Sequence, residues 1–129
     1  MIRPCLIGLG GVWLLTGIVI FADPMSFYEI VPGLKLMGPF NMHFIRDVGL
    51  AFIASGGALV WGTHVSAQRL VYAALAWPSL HALFHIQIWS HRGFPLDGIF
   101  AFDLAAVIGP PLLALLAVLK FRPFEETTI

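Results

Sequence analysis

The sequence predicts an all-α fold: an integral membrane four-helix bundle. Composition is the first reason. Of the 129 residues, 59% are hydrophobic and only 11% are charged, with mean hydropathy +0.90. A water-soluble domain carries about 25% charged residues to cover its surface. Spacing is the second reason. The apolar residues fall into four segments, each close to the ~20 residues that a helix needs to cross about 30 Å of hydrocarbon. Third, no alternation of apolar and polar residues marks the strands of a closed barrel. Helices are the other way to satisfy every backbone N–H and C=O inside lipid.

The first segment is "CLIGLGGVWLLTGIVIF", residues 5–21. Its small residues Gly8, Gly11 and Gly17 suit helix packing. A rival reading takes Arg3, the apolar run and "IFA" as a signal peptide cleaved after Ala22. The run is long for a signal core, so retention as a span is expected. The connection over residues 22–42 is rich in Pro, Gly and aromatics, with Phe27, Tyr28 and Phe40 placed like an interfacial belt. It is predicted to lie across the outer end of the bundle, with Asn41 capping the next helix.

The second span covers residues 44–62. The link "HVSAQ" follows, with Ser66 as the expected N-cap of the third span, residues 69–89. "SHRGFPLD" then leads to the fourth span, residues 98–121, with Asp97 as its expected N-cap. Short links make neighbouring helices antiparallel. Ala54, Ala58 and Gly62 recur every four positions, as do Ala101, Ala105 and Gly109, and favour close packing within the chain or between copies in a homo-oligomer. Pro78 and the pair Pro110–Pro111 are expected to kink their helices and free carbonyls. Trp13, Trp61, Trp77 and Trp89 read as packing or interface residues. The chain is thus one transmembrane domain over residues 1–129.

Orientation follows from positive charge. Arg3, Arg69, Lys120 and Arg122 fall on one side, and Lys35, Arg46 and Arg92 on the other. This bias favours both termini in the cytoplasm, with the 22–42 loop outside. Seven basic and seven acidic residues give zero net charge, and without a basic run nucleic acid is not an expected partner. The single cysteine, Cys5, excludes an internal disulfide and a zinc-type Cys pair.

Polar residues collect at one end of this threading. His43, Arg46 and Asp47 occupy the outer turns of the second span, His81 and His85 the outer half of the third, and Asp103 the start of the fourth. At ~1.5 Å per residue, Asp47, His85 and Asp103 lie roughly 6–9 Å below the outer rim. His43 and Asp47 are spaced i, i+4, as are His81 and His85, so each pair shares a stripe. A central charge in a membrane helix costs about 2.5–3.5 kcal/mol on insertion scales, so ionisable groups are expected to turn inward and pair. The ligand-pocket candidates are Asn41, His43, Arg46, Asp47, His81, His85 and Asp103.

Several chemistries suit that set. A divalent metal would take His43, Asp47, His81 and His85. A haem would use His43 and His85 as axial ligands. A His beside a carboxylate is competent in acid–base work on an isoprenoid, quinone or fatty substrate. Ser55 and Ser79 have no nucleophile motif around them. The plain alternative is a structural His–Asp–Arg network worth about 0.6 kcal/mol per contact. The expected role is binding of a small or lipid-like ligand or of a partner membrane protein, with enzymatic acid–base or metal chemistry as the runner-up.

"DPMSFYEIVPG" followed by "GPFNMHFIRDVGLAF" resembles a signature of small uncharacterised four-helix inner-membrane proteins of proteobacteria, and "LHALFH" in the third span is similar to the matching part of that group. The resemblance covers most of the chain, and its specific part is the first loop with the second helix. It implies a four-span fold loosely like DoxX-type proteins and a place in the bacterial inner membrane. It implies no particular activity or cofactor. Where such proteins often carry Trp before the Tyr of the first loop, this chain has Phe27.

Overall fold

The computed structural model describes residues 2–120, which form helices joined by turns and loops, with no strand among the described residues. Helix α1 runs Ile2–Ala22, followed by the short α2, Pro24–Ile30, and a single 3-10 turn, Leu34–Leu36. Helix α3 spans Met42–His64 and α4 spans Gln68–His91. The last arm is built in three pieces: α5, Gly98–Phe102, a π-helical segment, Asp103–Ile108, and α6, Gly109–Val118. Phe121, the expected end of the fourth span, and Arg122, used in the charge count, lie outside the described residues.

Three helical stretches are long and apolar enough to cross a membrane: Ile2–Ala22, Met42–His64 and Gly98–Val118. Helix α4 has 24 residues but is more polar, because Gln68, Arg69, Ser79, His81, His85, Gln87 and Ser90 interrupt it. Leu15, Val19, Leu80, Leu83, Leu112 and Leu113 are all exposed. Such an outward apolar surface suits lipid better than water.

The helix ends follow their sequence signals in two cases of three. Asn41 accepts the Phe44 N–H at 3.1 Å and caps α3. Asp97 accepts the Phe100 N–H at 2.9 Å and caps α5. Ser66, in contrast, does not cap α4. The N-cap is Ala67, with no side-chain bond. Ser66 takes φ +59° and its hydroxyl accepts a hydrogen bond from Arg3. Arg3 also donates to the Thr63 carbonyl at 3.1 Å, so it satisfies the end of α3, where carbonyls lack helical partners.

Packing begins with a glycine seam between α1 and α3. A Cβ on Gly56 would lie 2.4 Å from the Leu14 nitrogen, and one on Gly17 would lie 2.5 Å from the Gly49 carbonyl oxygen. Gly10 faces Val60 and the Gly56 carbonyl in the same way. The two helices therefore touch backbone to backbone, which only glycine permits. Gly8 and Gly11 face open space, so of the three glycines expected to pack in α1, only Gly17 does.

α4 packs on α3, and the π segment and α6 pack on α4, with α6 returning to α1. The close-packed core gathers at one end, from Leu6, Trp13, Leu59, Val71, Leu75, Ala114 and Val118. The 24–37 connection crosses the other end, as expected. A Cβ on Gly33 would meet the Ile99 side chain at 2.9 Å. Tyr28 packs edge-on against Phe40 at 5.6 Å and donates to the Gly38 carbonyl at 2.8 Å.

The π segment has a local cause. Pro110 and Pro111 lack N–H groups, and their rings would clash with the carbonyls one α-turn earlier. The helix widens just before them, and the Gly109 N–H bonds to the Leu104 carbonyl, five residues back. A Cβ on Gly109 would lie 2.6 Å from that oxygen. The expected kink is thus a one-turn widening, a form that recurs at functional sites.

Candidate functional site

Above the packed core the helices part around a cavity of about 560 Å³. Trp13 and Phe52 separate it from the core, and Phe27, Leu34 and Met37 of the first connection close it from the other end. Its lining is mostly aliphatic and aromatic. The polar exceptions are Thr16, His81, His85, Arg92 and Asp103. A volume between roughly 300 and 1,000 Å³, apolar walls and a few convergent polar groups are the attributes of small-molecule sites.

Three of those polar groups form one wall. One α-helical turn separates His81 from His85, and their rings meet edge to face at 4.7 Å. His81 also stacks on Trp77, with ring centres 4.8 Å apart and planes 12° apart. Asp103, the first residue of the π segment, is buried, its side chain 9% exposed. The His85 Nδ1 lies 3.1 Å from the Asp103 Oδ1, at an angle that makes no hydrogen bond, so this buried nitrogen has no hydrogen-bond partner among the described residues. An imidazole beside a carboxylate at the edge of a cavity can pass a proton or hold a polar head group.

At the rim, Arg92 lines the cavity and donates to Asp97. The Phe100 N–H, followed by the Arg92 guanidinium, holds the Asp97 carboxyl below the usual carboxylate range.

The other candidates lie elsewhere. His43 and Asp47 pair with each other at 2.8 Å, with side chains 87% and 58% exposed. Arg46 donates to the Phe21 carbonyl at 3.2 Å and covers the Phe21 ring at 5.4 Å. Asn41 serves as a helix cap. The inward turn expected of His43, Arg46 and Asp47 is therefore not what the fold adopts. They face out, and only His81, His85 and Asp103 of the seven candidates meet in the cavity. The four-ligand set His43, Asp47, His81 and His85 splits into two pairs, and the axial pair His43 and His85 is likewise divided. Among the described residues no three His, Cys, Asp or Glu side chains come together as a metal-binding group.

Sequence reasoning missed the aromatic partners of the His wall, Trp77 and Phe52, and the place of Arg92 at the rim. Trp77 was legible one turn before His81. Comparison of the chain with protein-family models, with curated proteins and with solved structures returns no match.

Proposed function

We propose that this is a four-span protein of the bacterial inner membrane that binds a lipid-like molecule in its outer cavity. In this reading α4 is the fourth span, with His81 against Phe52 of α3 and His85 against Asp103 of the last arm while Arg69 and Gln87 stay exposed, and both termini are cytoplasmic. The single observation that carries the reading is the 560 Å³ cavity, apolar on most sides and polar where His81, His85 and Asp103 converge. The likeness of the first loop and α3 to small proteobacterial inner-membrane proteins agrees with that compartment. A buried polar cluster beside an empty-walled apolar space suits an amphiphile: the tail takes the aliphatic walls, and the head takes the His–Asp wall.

The test is to purify the protein in detergent, extract it with organic solvent and identify by mass spectrometry what co-purifies. Wild type is compared with Val48→Trp, which places a large side chain in the cavity lining. A stoichiometric amphiphile lost in the variant supports the reading. Identical extracts from both proteins refute it.

One observation favours a second reading. The unbonded His85 Nδ1 beside Asp103 suits acid–base chemistry on the bound molecule. In that case His85→Gln abolishes turnover of the ligand and leaves its binding in place.

A further inference from the structure

We infer that the cavity selects amphiphiles whose head group donates hydrogen bonds, a hydroxyl or an amine, over those with an anionic head. This rests on the lipid-binding reading above and adds the chemical class of the head. In a helix the Ala106 carbonyl can accept from residue 110 in α register or from residue 111 in π register. Both are proline, so neither offers an N–H. The Ala105 carbonyl would take the N–H of residue 109 or 110. Gly109 bonds Leu104, and Pro110 has none to give. Two consecutive carbonyls are thus left without a helical donor, that of Ala106 by the proline pair and that of Ala105 by the π register of Gly109.

Those carbonyls belong to cavity-wall residues. Ala105, Ala106 and Pro110 line the cavity together with His81, His85 and Asp103. Asp103 adds two carboxylate oxygens, more than nine-tenths buried, and its nearest imidazole makes no hydrogen bond with it. The His81 and His85 imidazoles and the Thr16 hydroxyl each bring a donor to this lining, set against the Asp103 carboxylate and the two carbonyls, so the fixed charge of the wall is negative. Arg92, the only Lys or Arg among the described lining residues, is engaged by Asp97 at the rim. Unpaired carbonyls at membrane depth persist where they line a cavity, and broken helices offer such carbonyls to donors and cations. A carboxylate or phosphate head would meet repulsion from Asp103 and from the carbonyl dipoles, whereas a hydroxyl or ammonium would satisfy them.

The experiment places the full chain in phosphatidylcholine nanodiscs and follows quenching of tryptophan fluorescence, to which Trp13 at the cavity contributes. The probes are 11-bromoundecan-1-ol, 11-bromoundecylamine and 11-bromoundecanoic acid, which differ only in the head. The alcohol and the amine are expected to quench with midpoints about tenfold or more below the acid, the effect of one charge-assisted hydrogen bond. Asp103→Asn is expected to reduce that preference. Pro110→Ala, which supplies an N–H to the freed carbonyls, reduces it independently should Asp103→Asn fail to fold. Equal midpoints for all three heads, a preference for the acid, or a preference unchanged in both variants overturns the head-group inference alone. Absence of saturable quenching by any probe overturns it together with the lipid-binding reading.

Discussion

Replacing Gly56 by alanine sets two effects of opposite sign against each other, and the structure decides between them. Alanine is the better helix former by about 1 kcal/mol. The new Cβ, however, would lie 2.4 Å from the Leu14 nitrogen and 2.6 Å from the Gly10 carbonyl oxygen. Both are backbone atoms, so no side-chain rotation relieves the clash. Reaching an ordinary contact of 3.4 Å requires α1 and α3 to separate by about 1 Å along the seam. Overpacking of this kind costs about 1–3 kcal/mol, which leaves a net loss of about 0–2 kcal/mol after the propensity gain, towards the upper end here because both clashing atoms are backbone. Gly57 is the internal control: it is the next residue, and nothing lies within 4 Å of its Cβ position. Gly57→Ala is expected to be neutral or to stabilise by up to about 1 kcal/mol. The assay is reversible unfolding in mixed micelles by dodecyl sulfate titration, followed by circular dichroism. Equal stabilities for the two variants, or a more stable Gly56→Ala, would refute the backbone-contact account.

Three further outcomes follow from the geometry. Gly33→Ala adds a side chain at φ +82° and 2.9 Å from Ile99; a left-handed alanine costs about 1–2 kcal/mol, and faster proteolysis within 24–37 is the expected reading. Asp97 has a lowered folded-state pKa, so its cap contribution is present above the unfolded value near 3.9. It is lost as pH falls through the folded value. A thermal-midpoint series in acid should therefore decline less for Asp97→Asn, which keeps a capping side chain without the titration, than for wild type. His43→Ala breaks an exposed pair and is expected to cost less than about 1 kcal/mol. It should leave probe quenching intact, and a loss of binding in this variant would contradict the placement of the site.

The all-helical fold, three of the four expected spans, two of the three caps and the crossing of the first connection over one end were legible because each has a local cause. Asn41 and Asp97 carry the right side chain immediately before an apolar run. The facing of α3 was not legible in the same way. The i, i+4 spacing of His43 and Asp47 states that they share a stripe, and the assumption that charge turns inward supplied the rest. What fixes the facing is the seam: Gly49 and Gly56 must touch α1, and Asp47, two residues before Gly49, then sits roughly 160° around the helix from it. The matching seven-residue spacings, Gly10 to Gly17 and Gly49 to Gly56, were present in the sequence as the signal. His81, His85 and Asp103 met as expected because the short link after α4 brings those two helix ends together. The form of the break at Pro110–Pro111 depended on Gly109 accepting a tight turn, which the proline pair alone does not specify.

The division of the molecule into a packed end and a hollow end has a mechanical consequence. Close-packed protein interiors yield little to compression, whereas helices held apart around a partly open cavity have room to approach one another. The end containing Leu6, Leu59, Val71 and Val118 is therefore a stiff base. The end roofed by the first connection is the compliant one. Squeezed evenly by a surrounding bilayer, such a body does not shrink evenly. It narrows around the cavity first, so lateral pressure changes the cavity's volume before it strains the packed base.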